Sequence, residues 1–125
     1  MSGALFRWAA PCFARSARRW TVDDAEVFAR FLEPALAAGG SLLDLGGGTG
    51  ALAAQIAHVA PCRVTVADAS AQMLRYAAGL DGVTPVLADA GRLPFDRGAF
   101  DAALVCDAFH HFASPSQSAG QLARV

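Results

Sequence analysis

Lysine is absent: all ten basic residues of the 125-residue chain are arginine. Together with abundant alanine, this reads as the coding bias of a GC-rich, bacterial genome and carries no mechanism. Cysteine is scarce, and Cys12, Cys62 and Cys106 stand far apart and odd in number. No Cys-x-x-Cys or Cys/His ligand spacing exists, so neither a disulfide framework nor a zinc site is supported. A reducing cytoplasm fits that usage. An excess of one charge is missing too: a net charge of −1 gives no general attraction to nucleic acid or to an anionic membrane. No apolar run approaches the ~20 residues that span a bilayer. Acids are missing from the first 22 residues, which hold Arg7, Arg15, Arg18 and Arg19 among Phe6, Trp8, Phe13 and Trp20. Either a transit peptide or an amphipathic lid has that composition. The bacterial bias favours the lid, and Pro11 interrupts any single helix there.

What is present is enough for one domain. Hydrophobic residues make up 54% of the chain and charged residues 17%, so it can build a core and is not disordered by composition. The chain is organised around Leu42-Leu43-Asp44-Leu45-Gly46-Gly47-Gly48-Thr49-Gly50. An apolar run ends in an acid, breaks into glycines, then turns alanine-rich, which reads as a buried strand, a tight turn and a helix N-terminus. Gly46 is expected to let the chain turn, Gly48 to let backbone approach a ligand, and Gly50 to let the next helix sit tight on the strand. The N–H groups that open that helix then face whatever binds there.

The other elements fall into place around this stretch. Thr21–Ala38 reads as a helix with Thr21 and Asp24 as a partial capping box, a kink or the start of a new turn at Pro34, and a stop at Gly39-Gly40. Ser41–Leu45 is the first strand and Gly50–Ala60 the crossover helix. Arg63–Asp68 is the second strand, and Ser70 caps a helix over Ala71–Ala78. Val83–Asp89 is a third strand that Pro85 puts at an edge. Ala90–Gly98 is a loop, Phe100–Cys106 a fourth strand, and Ser114-Pro115 opens the last helix. Such alternation means a parallel sheet with right-handed crossovers: an α/β fold, doubly wound and Rossmann-like. The division expected is an N-terminal helical lid or cap over residues 1–40 and a ligand-binding core over 41–125.

Open parallel sheets bind ligands at the carboxyl ends of their strands. Here Asp44, Asp68 and Asp89 each end a strand, and Asp107 adjoins the end of the fourth. Asp68 is the sharpest of these, about twenty residues past the glycine turn, where a carboxylate can accept both ribose hydroxyls of an adenosine. The turn alone is ambiguous. Gly46-x-Gly48-x-Gly50 is one pattern, while Gly46-x-Gly48-x-x-Ala51 also satisfies a nicotinamide dinucleotide fingerprint. Asp89 tips the balance, because an adenosine-only ligand can use it to accept from the adenine amino group beside the backbone of Ala90.

Four stretches in order resemble the class I S-adenosylmethionine-dependent methyltransferases. They are Asp44-x-Gly46-x-Gly48-x-Gly50; Val64-Thr-Val-Ala-Asp68-Ala-Ser-x-x-Met73; Ala88-Asp89-Ala90-x-x-Leu93-Pro94-Phe95; and Phe100-Asp101-Ala-Ala-Leu-Val-Cys106 with Phe109-His110-His111-Phe112. Gln121–Val125 is similar to the helix that follows. The match looks closest to the small-molecule group that includes the quinone-biosynthesis methyltransferases. Trp8-Ala-Ala-Pro11-x-Phe13 resembles that group's lid, with Phe13-Ala14 where Tyr-Asp is usual.

The resemblance implies a strand order of 3-2-1-4 and S-adenosylmethionine as cofactor. It implies a cofactor site of Asp44, Gly46, Gly47, Gly48, Gly50, Asp68, Ala69, Met73, Asp89, Ala90 and Cys106. Asp44 would hold the donor's amino group through water or cap the glycine turn, and Met73 would pack on the adenine. Cys106 would touch the donor's methionine part through its backbone. His110 and His111 are the candidate bases, at the meeting point of donor and acceptor. The partner implied is a small organic acceptor, with no nucleic acid and no membrane span. The family continues past the point where this chain stops, so a partial sheet is expected, with a bare fourth-strand edge open to self-association. Two other readings stay open: a cofactor-binding module without catalysis, and a nicotinamide-dependent oxidoreductase domain.

Overall fold

The computed structural model describes residues 20–36 and 39–125. The expected lid motif at Trp8–Ala14 therefore lies outside the described residues. Among the described residues the elements follow in the order α1 (Val22–Leu32); β1 (Gly40–Leu45) and α2 (Ala51–Val59); β2 (Cys62–Asp68) and α3 (Ala71–Ala77); β3 (Val83–Leu87); and β4 (Ala102–Leu104), which leads through a 3₁₀ turn (Phe109–His111) to α4 (Pro115–Arg124). The strands form one parallel sheet in the order β3-β2-β1-β4. Pro85 sits in β3 at one edge of that sheet, where its missing N–H breaks no ladder toward the interior.

Alternation along the strands splits the core in two. Leu42, Val64 and Val66 point to one face and pack with Ala25 of α1, Leu52 and Ile56 of α2, and Leu74 of α3. Leu43, Leu45 and Ala67 point to the other face and pack with Leu93, Leu122 and Val125. Helices thus cover both faces, and the sheet's carboxyl ends stay free for the loops.

Three expected spans are longer than those observed. The first helix stops at Leu32 and not near residue 38. Pro34 has no N–H to donate and its ring crowds the carbonyl four residues back, so the helix ends before it. Of the two expected outcomes a new turn is the one seen, with Ala35 and Leu36 N–H donating to Leu32 O (2.9 Å each). Its start is as expected: Thr21 Oγ1 accepts from Asp24 N–H (3.2 Å) and Thr21 N–H donates to Asp24 Oδ2 (3.0 Å). β3 ends at Leu87, and Asp89 forms an isolated bridge with Arg92. β4 is only Ala102–Leu104: before it Phe100 is drawn to Val125, while Asp101 already bonds β1. Phe100 N–H donates to Val125 O (3.0 Å) and Asp101 N–H to Ser41 O (2.9 Å).

Candidate functional site

The chain leaves β1 through a turn that only glycine accommodates. Gly46 has φ +76°, and a Cβ built there would lie 2.5 Å from the Ala108 Cβ. Its N–H donates to Ala67 O at 2.7 Å, which ties the turn to the tip of β2. Gly48 (φ +56°) donates its N–H to Asp68 Oδ2 at 3.0 Å. Ser70 N–H donates to Asp68 Oδ1 at 2.8 Å, and Ser70 Oγ accepts from Met73 N–H at 3.2 Å. One carboxylate therefore joins the glycine turn, the end of β2 and the start of α3.

Asp68 opens onto a crevice of about 160 Å³. Gly46, Asp68 and Ala69 form one wall, Asp89, Ala90 and Gly91 the next, and His111 with the first turns of α4 the third. Pockets that enclose a whole drug-sized ligand hold ~300–1,000 Å³, so this one suits part of such a ligand, with the remainder more open. Asp89 Oδ1 accepts from Gly91 N–H (2.7 Å), and Gln117 Nε2 donates to Gly91 O (2.8 Å). This pair joins the loop after β3 to α4. Ser118, at the back of the same wall, is 1% exposed, and its Oγ has no hydrogen-bond partner among the described residues.

Electrostatics set the carboxylates apart. Burial pushes Asp44 up to about 7, with the nearby Asp68 charge adding to the effect. Burial also raises Asp68, against the N–H groups of Ser70, Gly48 and Ala69 and the closeness of His111, which favour its charged form. His111 is held below the ordinary imidazole value by burial and by His110, whose ring centre is 3.8 Å away; Asp107 and Asp68 pull the other way. Asp107 itself has φ +57°, a left-handed conformation three residues past the end of β4.

The crevice brings together Gly46, Asp68, Ala69, Asp89, Ala90 and His111 of the residues expected from sequence. The others lie around it. Asp44 is 2% exposed, and its Oδ2 fills the space where a Cβ on Gly47 would stand. Met73 supports the turn from below, its Cε 2.8 Å from where a Gly48 Cβ would be. Gly50 packs against Ala77 of α3, not against its own strand (3.0 Å from a Cβ there to Ala77 Cβ). Cys106 belongs to the core on the α1–α2 face. His110 is exposed beside His111. Gln117 and Ser118 were not expected from sequence. Their signal was the Ser114-Pro115 start, which places the first turns of α4 just beyond the strand tips. Among the described residues no group of three or more His, Cys, Asp or Glu is placed to hold a metal ion, and no helix is long and apolar enough to cross a membrane.

Comparison with known proteins adds four findings. A family model described as a methyltransferase domain matches residues 43–125. A demethylmenaquinone methyltransferase of Clavibacter sepedonicus is 42% identical over 96 residues, which is 70% of this chain and 37% of that protein. One of the same name from Thermus thermophilus is 41% identical over 91 residues, 67% of this chain and 41% of its own length. The chain thus spans about two fifths of the length of these relatives. Among solved structures, a candidate methyltransferase from an antibiotic biosynthesis pathway of Anabaena variabilis superposes with a TM-score of 0.78 at 22% identity, over 86% of this chain and 42% of that one.

Proposed function

We propose that this chain, which belongs to the methyltransferase-domain family, binds S-adenosylmethionine in the crevice and presents its methyl group to a small organic acceptor. The observation that carries the reading is the meeting of Asp68 and Asp89, from neighbouring strand tips, around one crevice beside Gly46. The residues fit the group. Two carboxylates accept from ribose hydroxyls and an amino group, and backbone approaches closely at a glycine that no side chain could replace. A nicotinamide dinucleotide has no general need for the acid at Asp89. Adenosylhomocysteine is therefore expected to bind and NAD not to bind.

When bound, S-adenosylmethionine supplies an activated methyl on a sulfonium, whose positive charge makes the departing sulfur neutral. The chain's own work is then alignment, and positioning alone can supply much of the rate of an in-line displacement. Asp68 orients the nucleoside end, held rigid by the Gly48 and Ser70 N–H groups. Where the acceptor must lose a proton, His111, which lines the crevice, is the candidate to take it. Its lowered basicity keeps the imidazole neutral and ready at neutral pH. The relatives' shared name supports an aromatic, quinone-like acceptor for this chain.

Asp68→Ala tests the reading. Charge-assisted hydrogen bonds contribute roughly 1.5–3 kcal/mol each, so the variant is expected to bind adenosylhomocysteine at least about 30-fold more weakly by calorimetry. Unchanged affinity in a folded variant refutes the role. A second reading, a module that binds the cofactor without turnover, is favoured by a crevice whose expected residues nearly all serve the nucleoside end. Incubation with methyl-labelled donor and a reduced quinone separates the two: label in the acceptor supports the enzyme, and binding without transfer supports the module.

A further inference from the structure

We infer that Arg124 is a positioning residue for the adenine end of the crevice: together with Gln121 it fixes the loop after β3, and so the Asp89 carboxylate that the loop carries. The inference rests on the adenosine reading above and deepens it.

Gln117, Gln121 and Arg124 stand at i, i+4 and i+7, one stripe along α4. Each side chain bonds the backbone of the loop after β3. Gln117 meets Gly91 O at the crevice, as described above. Gln121 Oε1 accepts from Leu93 N–H (3.0 Å). Arg124 Nη1 donates to Phe95 O (2.6 Å), and Arg124 Nη2 donates to Leu93 O (3.0 Å) and to Gln121 Oε1 (3.0 Å). One guanidinium fork thus serves two carbonyls and also steadies the amide oxygen that serves Leu93 N–H. Leu93 is buried, so its backbone groups are costly to leave unpaired. The Gln117 bond is exposed, and water competes for Gly91 O there. The Arg124 bonds are partly buried and charge-assisted, so they carry the anchoring.

The clasp reaches Asp89 by a short path. Arg92 N–H donates to Asp89 O (2.9 Å) and Gly91 N–H to Asp89 Oδ1 (2.7 Å), so residues 89–92 close on themselves directly before Leu93. Asp89 itself is exposed and lines the crevice, so its place depends on what holds that turn. Without Arg124, Leu93 O and Phe95 O lose their donors, and the loop must shift toward water to satisfy them. Asp68 is held separately, by the Gly48 and Ser70 N–H groups, and neither bond involves α4. Loss of the clasp is therefore felt at the adenine and not at the ribose.

The test is calorimetry on the chain and on Arg124→Ala with three ligands. They are adenosylhomocysteine, its analogue with hydrogen in place of the adenine amino group, and its analogue without the ribose 2′-hydroxyl. The wild type is expected to bind each analogue about tenfold more weakly than the parent. R124A should lose about tenfold on the parent and on the deoxy analogue. On the deaminated analogue it should lose less than about twofold, because the bond to Asp89 is already gone. A merely structural loosening lowers all three affinities alike. Gln121→Ala removes only the acceptor and should show the same split, which covers an R124A that does not fold. Gln121→Glu keeps an oxygen for both donors and should bind as the wild type does. Variants that lose equally on all three ligands, or that stay within about twofold on the parent, overturn the inference while the adenosine site stands. A wild type that binds the deaminated analogue as tightly as the parent removes the Asp89 contact, and the inference with it. A wild type that does not bind adenosylhomocysteine overturns the adenosine reading as well.

Discussion

Asp44 is the residue whose charge the fold resists most. It lies beneath Gly47, almost wholly buried, with Asp68 nearby, and its carboxyl is pushed up to about 7. The folded chain therefore holds a proton that the unfolded chain has released between about pH 4 and 7, and stability falls as pH rises through that window. The rise from 3.8 to about 7 sets a ceiling of about 4 kcal/mol on the loss. Asp44→Asn should flatten this decline and raise the melting temperature at pH 8, as followed by circular dichroism from pH 4 to 8. Wild-type stability that climbs from pH 4 to 7 refutes the assignment. Asp68 and Asp89 were legible in the sequence, because acids that end consecutive strands converge at one rim of a parallel sheet. That Asp44 points under the turn was less so. The parity of a strand fixes which face a side chain takes, but not how the following glycines fold back over it. Ser118 was illegible for another reason: a serine on an amphipathic helix reads as solvated until its neighbours are placed.

At the level of elements, β4 is short and depends on a clasp at its start. Asp101 Oδ2 accepts from Ser41 N–H (2.8 Å) and Ser41 Oγ (3.1 Å), while Asp101 N–H donates to Ser41 O (2.9 Å). These bonds hold the Asp101 carboxyl below its ordinary range. A depressed carboxylate stabilises above its unfolded value of ~3.9 and stops doing so as pH falls through the lower, folded one. This acid limb lies apart from the Asp44 window. Asp101→Ala should speed amide exchange in Ala102–Leu104 by at least about tenfold while leaving the β1–β2 ladder protected. Equal protection in the two ladders would show that β4 needs no clasp. Among the described residues the sequence named each strand and each α-helix in order. It overran α1 because the apolar periodicity runs on past Pro34, and it overran β4 because the hydrogen bond from Phe100 to the distant Val125 leaves no trace in local pattern.

Across the whole molecule, β4 pairs with β1 on one side, and among the described residues no strand pairs with its other side. An open edge of small, apolar residues is a template for a second chain. Sedimentation is expected to show concentration-dependent association, which Ala103→Lys should suppress because a charge on an edge strand opposes pairing. A wild type that stays monomeric across the range tested would set that edge aside. The crevice carries a broader consequence. Its walls are drawn from Leu45 through Ser118, and so from nearly every turn that follows a strand. No sub-piece of the chain carries the pocket, so an occupant acts as a keystone: it braces distant stretches at once, and they can only come apart together.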